Sequence, residues 1–589
     1  AMTGRAVLVS TGSGELSVHE QAFELPEPGA HLSPATAKPS GVTVTVRNAA
    51  GQMRTSRESY TYDGLGRMIR RDAADGAVTE WEYDRVLPVG AEIAVGLPLR
   101  EATTGPDGAT ASTRYELNPE RTAPIVVETA TTTVDGVEHR TGRTELVYAG
   151  TQVAEQRVYP GGDPSAVPVV TTRDHDVDVV TGTRTVVETV AAGTTAEARV
   201  ATVSSLVHGG PLAETNAVGG TSLTSYDSAW RPTTSTDPSG RTTTMTYRSA
   251  PADGLDIVAA TAPDGVTVTE ERDVLGRVVR RYDDVAPGGA VRPGHERVFE
   301  TRAYPAGGVE ELTDAWGATT RTERDVFGRV IRITLPNGLV QLTQHDDAAG
   351  TVTSGASPTG SLETAERTTT RRLDEAGRLS GTSGSRADGV PVADTSTEYD
   401  GLGRKVFETD GAVQTRVTYD PAGNPLVSAT SPAAPDATLP APDAAAPASG
   451  AADRASGRAP LAAELIAQRR FDGFGESLEK TLSTGEQTRS GGSRVLDELG
   501  RTVLETDRSG HATRYEYTPD GLVERVTADT GQVTTNRYDP ESRALLETTV
   551  RAPGLADVTT AHEYDPASGR RVAVSHPTDR AATEIDYEY

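Results

Sequence analysis

Three acidic groupings in the chain could do chemistry. The sharpest is Asp174-His175-Asp176-Val177-Asp178. On a strand, the two-residue side-chain period puts Asp174, Asp176 and Asp178 on one face and His175 on the other. Carboxylates this close want water, arginines or a cation, so a calcium site is the sharp reading. The glycine and distal glutamate of an EF-hand loop are missing, and solvated edge charges that discourage sheet-to-sheet association are preferred. Asp283-Asp284 and Glu310-Glu311 could supply paired carboxylates for glycoside hydrolysis, which needs a set separation in space. With 84 acidic residues in the chain, such neighbours arise by chance. No Gly-x-Ser-x-Gly elbow, His-Glu-x-x-His pair or phosphate-binding Gly-Lys-Ser/Thr loop occurs. Cysteine is absent, which excludes disulfides, Cys-ligated zinc, iron–sulfur clusters and a Cys nucleophile. No catalytic residue and no cofactor are expected.

The elements that must position these groups announce themselves by repetition. Tyr62-Asp63-Gly64-Leu65-Gly66-Arg67 returns as Tyr399-Asp400-Gly401-Leu402-Gly403-Arg404. Variants run through Asp273 to Arg277, Asp325 to Arg329, Asp374 to Arg378 and Asp497 to Arg501, with Tyr419-Asp420, Tyr538-Asp539 and Tyr564-Asp565 as further copies. The steps 62 to 83, 226 to 247, 324 to 345, 496 to 517 and 517 to 538 are each 21 residues. On that count His345, ahead of Asp346-Asp347, is a substituted repeat tyrosine. A fixed period of this kind means one small unit in an array. Asp opens a turn, Gly takes positive φ, and Val, Ile, Thr and Tyr fill the pleated segments between turns. Each unit is therefore a β-hairpin and successive hairpins pair side by side. Tyr is expected to stack on the neighbouring hairpin's Tyr, and Arg67-type arginines to pair with turn carboxylates along a ladder.

The Tyr-Asp-x-x-Gly-Arg frame resembles the YD repeat of the RHS-repeat family, which includes bacterial RHS proteins, the B and C components of Tc toxin complexes, and teneurins. The resemblance covers about 60–84 and 226 to the C-terminus; between 85 and 225 the frame decays while strand character persists. It implies an all-β fold in which consecutive hairpins form a long curved or spiralling antiparallel sheet, a hollow shell. It also implies secretion, at the cell surface or outside the cell, although no signal peptide opens this chain. Cargo-releasing members end with paired Asp-Pro-x-Gly signatures about twenty residues apart. Here Asp237-Pro238-Ser239-Gly240 and Asp420-Pro421-Ala422-Gly423 stand alone and read as ordinary turns. The chain stops at Tyr587-Glu588-Tyr589, inside a repeat, as a fragment of a larger shell would.

Five segments are expected: a β-rich lead-in at 1–55, a degenerate repeat region at 56–225, regular repeats at 226–428, an Ala/Pro-rich mobile insertion at 429–460, and repeats again at 461–589. About 20 hairpins give roughly 40 strands and a sheet about 190 Å long at ~4.8 Å per strand. Rolled once, that sheet is a band roughly 60 Å across and ~25–30 Å tall. The net charge of −27 argues against nucleic acid as a partner, and no apolar run is long enough to span a bilayer. The expected function is a non-enzymatic scaffold that encloses or presents a toxin or other polypeptide, with that cargo or the remainder of the shell as partner. An adhesion or carbohydrate-binding module is the alternative. Trp81, Trp230 and Trp316 are the exposed aromatics it would use, but they are widely scattered. A hydrolase with a carboxylate site within 85–225 ranks last.

Overall fold

The computed structural model describes residues 4–12, 15–24, 38–48, 50–83, 97–120, 122–250, 254–286, 289–432, 465–484, 487–576 and 583–586. Within them the chain forms 44 β-strands, from Gly4–Gly12 to Thr583–Asp586, two single 3-10 turns and no α-helix. Each strand pairs antiparallel with the next one in sequence, from the first pair to the last, so the chain is one continuous ribbon of hairpins. The strands run without interruption through 97–225, where the sequence frame is hardest to see. Residues 433–464 and 587–589, which hold most of the Ala/Pro-rich segment and the last repeat's tyrosine, lie outside the described residues. The strands flanking the former, Pro425–Pro432 and Leu465–Phe471, pair directly, with Val427 opposite Gln468.

Because strands alternate in direction, the ribbon has two unlike edges. One carries the Tyr-Asp-x-x-Gly-Arg turns and is called here the motif edge; the opposite one is the return edge. At the motif edge the ladder slips by one residue just before the tyrosine, between Thr61 and Tyr62, Glu398 and Tyr399, Thr418 and Tyr419, and Arg537 and Tyr538. A bulge bends its strand and increases local twist. Repeated along one edge at most of the motif hairpins, it curls the ribbon.

The curl brings the ribbon back onto itself. The Gly401 N–H donates to Asp107 Oδ2 at 2.8 Å, joining the return-edge turn at 105–109 to the motif-edge turn at 400–404, 23 strands further on. The Asn48 amide donates to Asp346 Oδ2 at 2.8 Å, Arg54 to the Asp374 carbonyl at 2.7 Å, and Thr131 Oγ1 to the Pro421 carbonyl at 2.6 Å. The Gly161 N–H donates to the Gly473 carbonyl at 2.7 Å. In every case the return edge of an early strand meets the motif edge of a strand 23 or 25 places later. Such a constant offset describes a spiral of just under two turns. At ~4.8 Å per strand, one turn has a circumference of roughly 110–120 Å and is about 35–40 Å across. The single roll roughly 60 Å wide inferred from strand number is corrected accordingly: the recurrent bulges curl the ribbon more tightly.

Among the described residues no second layer covers the sheet. The buried apolar side chains among the described residues are all Val or Ala, such as Val46, Ala102, Val126, Val340 and Ala573. A globular core buries Leu, Ile and Phe; here the largest fully buried side chain is that of Ser357. Cohesion comes from strand pairing, turn chemistry and the seam between turns of the spiral.

Candidate functional site

The motif residues build a repeated clamp. In the turn after Tyr62, Asp63 Oδ1 accepts the Leu65 and Arg67 N–H groups, each at 2.9 Å, and Asp63 Oδ2 takes the Arg67 Nε–H at 2.7 Å. Gly66 sits at φ +78°, a conformation that the turn requires and that a side chain would strain. The carboxylate thus fixes the arginine flat, and its guanidinium lies over the ring of Tyr83, one unit on, at 4.5 Å. Asp400 holds Arg404 in the same way, through N–H and Nε–H at 2.8 and 2.7 Å, with Gly403 at φ +81° and the guanidinium 4.8 Å from the Tyr419 ring. The tyrosine is tied at its far end too. Tyr419 OH donates to the Lys405 carbonyl at 2.6 Å, Tyr399 OH to Leu379 at 2.9 Å, and Tyr538 OH to Val523 at 2.9 Å. In Tyr419 and Tyr399 the acceptor is the residue just after the clamping arginine of the preceding unit.

Where the motif is complete, a rung therefore reads Asp to Arg within a turn, then Arg over the next unit's Tyr. Tyrosines were expected to stack on each other. Instead Tyr83, Tyr399, Tyr419 and Tyr517 meet guanidinium groups, and Tyr226 meets the ring of His208. The Arg–Asp pair closes inside one turn, as in Asp63–Arg67, while Arg329 and Arg543 also reach a neighbouring unit's carboxylate, Asp347 and Asp520, at 2.8 Å each. Burial pushes the Asp63 carboxyl up, but the Arg67 N–H and guanidinium outweigh it and hold the group below its ordinary range. Burial pushes the Tyr62 and Tyr538 phenols up.

Several motif turns vary the scheme, those of Asp420 and Asp539 among them. Asn424 replaces the arginine beside Asp420, donating its N–H at 2.8 Å and its amide at 3.0 Å. The Asp539 turn is one residue longer. Ser542 donates its N–H and hydroxyl to Asp539 at 2.6 and 2.8 Å, and these hold that carboxyl below its usual range, the N–H most strongly.

His345 stands in a tyrosine's place, against Arg329 and hydrogen-bonded to the Val330 backbone. Burial and then the Arg329 charge hold its pKa below the usual imidazole value. A depressed histidine pKa gives stability that is complete above the unfolded value, about 6.5, and is lost as pH falls through the folded one. His345→Tyr should restore the clamp, stabilising by about 0.5–1.5 kcal/mol, and flatten the stability profile just below pH ~6.5. Urea denaturation at pH 7 and 5.5 measures both; an unchanged profile would remove His345 from the ladder.

The other acidic groupings are dispersed or already neutralised. Asp174 and Asp176 are exposed along the strand Val169–Asp178, and Asp178 is occupied in a turn, accepting the Val180 and Thr181 N–H groups at 2.8 and 3.2 Å. Among the described residues no three His, Cys, Asp or Glu side chains gather as a metal-ligand set. His175, on the opposite face, is engaged by the Val153 carbonyl and Arg184 at 3.1 Å each. Asp283 is buried and gripped by Arg297 through two hydrogen bonds, while Asp284 accepts the Thr267 N–H at 2.8 Å. Glu310 pairs with Arg302 and Glu311 with Arg321, at 2.9 and 2.6 Å. A hollow of about 210 Å³ within the 85–225 region is lined by Arg114, Glu128, Glu138 and Arg140. Its carboxylates face arginines as well: Glu138 with Arg114, Glu128 with Arg140 and Arg143. Carboxylates locked in this way are poorly suited to acid–base work.

One repeated device went unread in the sequence. Across return-edge turns, Thr104–Thr110, Thr215–Thr221, Thr236–Thr242, Thr261–Thr267 and Thr313–Thr319 join hydroxyl to hydroxyl at 2.8–3.0 Å. The signal was a threonine recurring six residues later around an x-x-x-Gly turn.

No protein-family model matches the chain, and no curated protein matches it. Solved structures similar to it include the Tc holotoxin pore of Photorhabdus luminescens, with 10% identity and a TM-score of 0.41 over 97% of this chain and 42% of that one. The TcdB2–TccC3 complex has 10% identity and a TM-score of 0.35, over 98% of this chain and 42% of that one. TcdB2–TccC3 without its hypervariable C-terminal region has 9% identity and a TM-score of 0.34, over 99% and 49%. The chain thus spans less than half the length of these chains. No helix among the described residues is long and apolar enough to cross a membrane.

Proposed function

We propose that the chain is a non-enzymatic wall element, secreted or displayed at the cell surface, that encloses or presents a polypeptide. The observation that carries this reading is the seam: a single-layer ribbon that returns to its own edge after 23 strands, its buried apolar side chains among the described residues all Val or Ala. Side chains occupy about 5 Å on each face of a sheet, since facing sheets sit ~10 Å apart. A ring of this girth therefore leaves a space roughly 25 Å wide, enough for an extended or locally folded chain and too narrow for a protease domain. Confinement needs no catalytic group, which accords with carboxylates committed to arginines.

The test is protection. A disordered reporter polypeptide fused after Tyr589 should survive broad-specificity protease about tenfold or more longer than the same reporter fused to an unrelated solid domain, because cleavage then waits on opening of the wall. Equal lifetimes would defeat the reading.

A further inference from the structure

The turn at 346–350 joins two networks, one across the seam and one along the clamp ladder. Across the seam, Asp346 Oδ2 accepts the amide of the buried Asn48 at 2.8 Å, while Asp346 Oδ1 accepts the Ala349 N–H at 2.9 Å. Asn48 also seats its own turn: its Oδ1 accepts the Gln52 N–H at 3.0 Å, and its amide reaches Gln52 Oε1 at 2.8 Å. At the other end of the 346–350 turn, Gly350 lies against Arg54. A Cβ on Gly350 would come within 2.9 Å of that guanidinium, which donates onward to the Asp374 carbonyl.

Along the ladder, the half-buried His345 fills a tyrosine's slot and makes the tyrosine's bond, donating to the Val330 carbonyl. The charges that face its ring are Arg329, Asp347 and Asp325. Arg329 already holds both carboxylates, Asp325 at 2.7 Å and Asp347 at 2.8 Å. A neutral imidazole needs only Val330. A charged one stands beside a guanidinium with its balancing carboxylates engaged, so it leaves for water or draws Asp347 off Arg329. Either movement pulls on Asp346, which is covalently joined to both residues.

We infer that His345 is an acid-sensitive latch on the seam: once it is protonated, the 346–350 turn releases Asn48 and Arg54, and adjacent windings part there while the hairpins stay paired. In the open seam the ring is solvated and titrates near its ordinary value of about 6.5; in the closed seam burial and Arg329 hold it lower. Opening therefore takes up a proton. The open fraction grows below pH ~6.5 by at most about tenfold per pH unit, and levels off below the closed-state value. Turn carboxylates, ordinarily near 3.9, stay ionised over this range. The latch concerns how the winding opens and is independent of what it encloses.

Hydrogen exchange of the full chain between pH ~7.5 and ~5.5, corrected for the intrinsic pH dependence of exchange, tests it. The Gln52 N–H lies across the seam from His345 and reports whether Asn48 keeps its seat; its protection should fall about three- to tenfold on acidification. The Gly161 N–H, whose seam bond to the Gly473 carbonyl joins two backbone groups, should hold, and circular dichroism should not change. His345→Tyr and His345→Gln, both uncharged here and able to donate to Val330, should abolish the fall at Gln52. Constant protection of Gln52 in the wild type, a fall that persists in either variant, or an equal fall at Gly161 would overturn the proposal.

Discussion

Gly105→Ala should open the seam between the two turns of the spiral while leaving its own hairpin intact. A Cβ at Gly105 would lie 2.2 Å from the Gly401 carbonyl oxygen and 2.6 Å from the Gly401 Cα, backbone atoms that cannot step aside. Gly105 takes no left-handed φ, so alanine brings no intrinsic strain and the penalty reports the seam alone. Overpacking of this kind costs about 1–3 kcal/mol. The bond from the Gly401 N–H to Asp107 is the first to go, and exchange of that amide should quicken by roughly ten- to a hundredfold. The internal control is Gly64→Ala. Gly64 occupies the place in its turn that Gly401 occupies in another, yet a Cβ there meets nothing within 4 Å. The same substitution should be silent at 64 and costly at 105 and 401, where the new Cβ would lie 1.9 Å from Asp107 Oδ1. Equal effects at 64 and 401 would mean that the ribbon does not return on itself.

That pair of glycines shows what the sequence could and could not reveal. Gly64 and Gly401 sit in the same hexapeptide, Tyr-Asp-Gly-Leu-Gly-Arg, and are locally indistinguishable. Hairpins, their boundaries and their sequential pairing are local properties, written in turn residues and β-branched runs, and they were legible even where the motif fades. The pitch of the spiral is not local. It depends on the angle each hairpin adds, which is set by the bulge before Tyr62 and its counterparts, and small angles summed over 23 strands decide whether the ribbon makes one turn or nearly two. The clamp was half legible. An Asp four residues before an Arg signals a pair, but that the guanidinium then roofs the following tyrosine requires the register across the hairpin. Asp283 shows the same limit from the other side: adjacent to Asp284 it resembles a catalytic pair, and only the fold reveals Arg297 on top of it.

Acid should dismantle the molecule through its turns. In the motif turns the aspartate accepts two or three N–H bonds that only the ionised form can fully use, and the carboxyls of Asp63, Asp227, Asp273, Asp325, Asp539 and Asp565 are held below their ordinary range. For Asp273 the Arg277 guanidinium is the main cause; for Asp565 and Asp539 it is the backbone N–H of Ser568 and Ser542. For Asp325 burial pushes upward, and the Arg329 guanidinium and N–H outweigh it. A depressed carboxyl pKa gives stability that is fully present above the unfolded value of about 3.9 and lost as pH falls through the folded one. The urea midpoint should therefore hold from pH ~8 to ~5, apart from the modest histidine contribution, and collapse below pH ~4. Repeats stabilise one another through neighbours, so the loss should be cooperative along the ribbon. Asp325→Asn separates charge from shape: the amide keeps one acceptor oxygen but loses the pair with Arg329, whose partner carboxylate is only 2% exposed. That variant should be less stable at pH 7 by about 1–3 kcal/mol and lose less on acidification than wild type. A midpoint unchanged between pH ~5 and ~2.5 would mean that the turn carboxylates contribute nothing in their ionised form. The clamp would then be held by backbone geometry and tyrosine contacts alone.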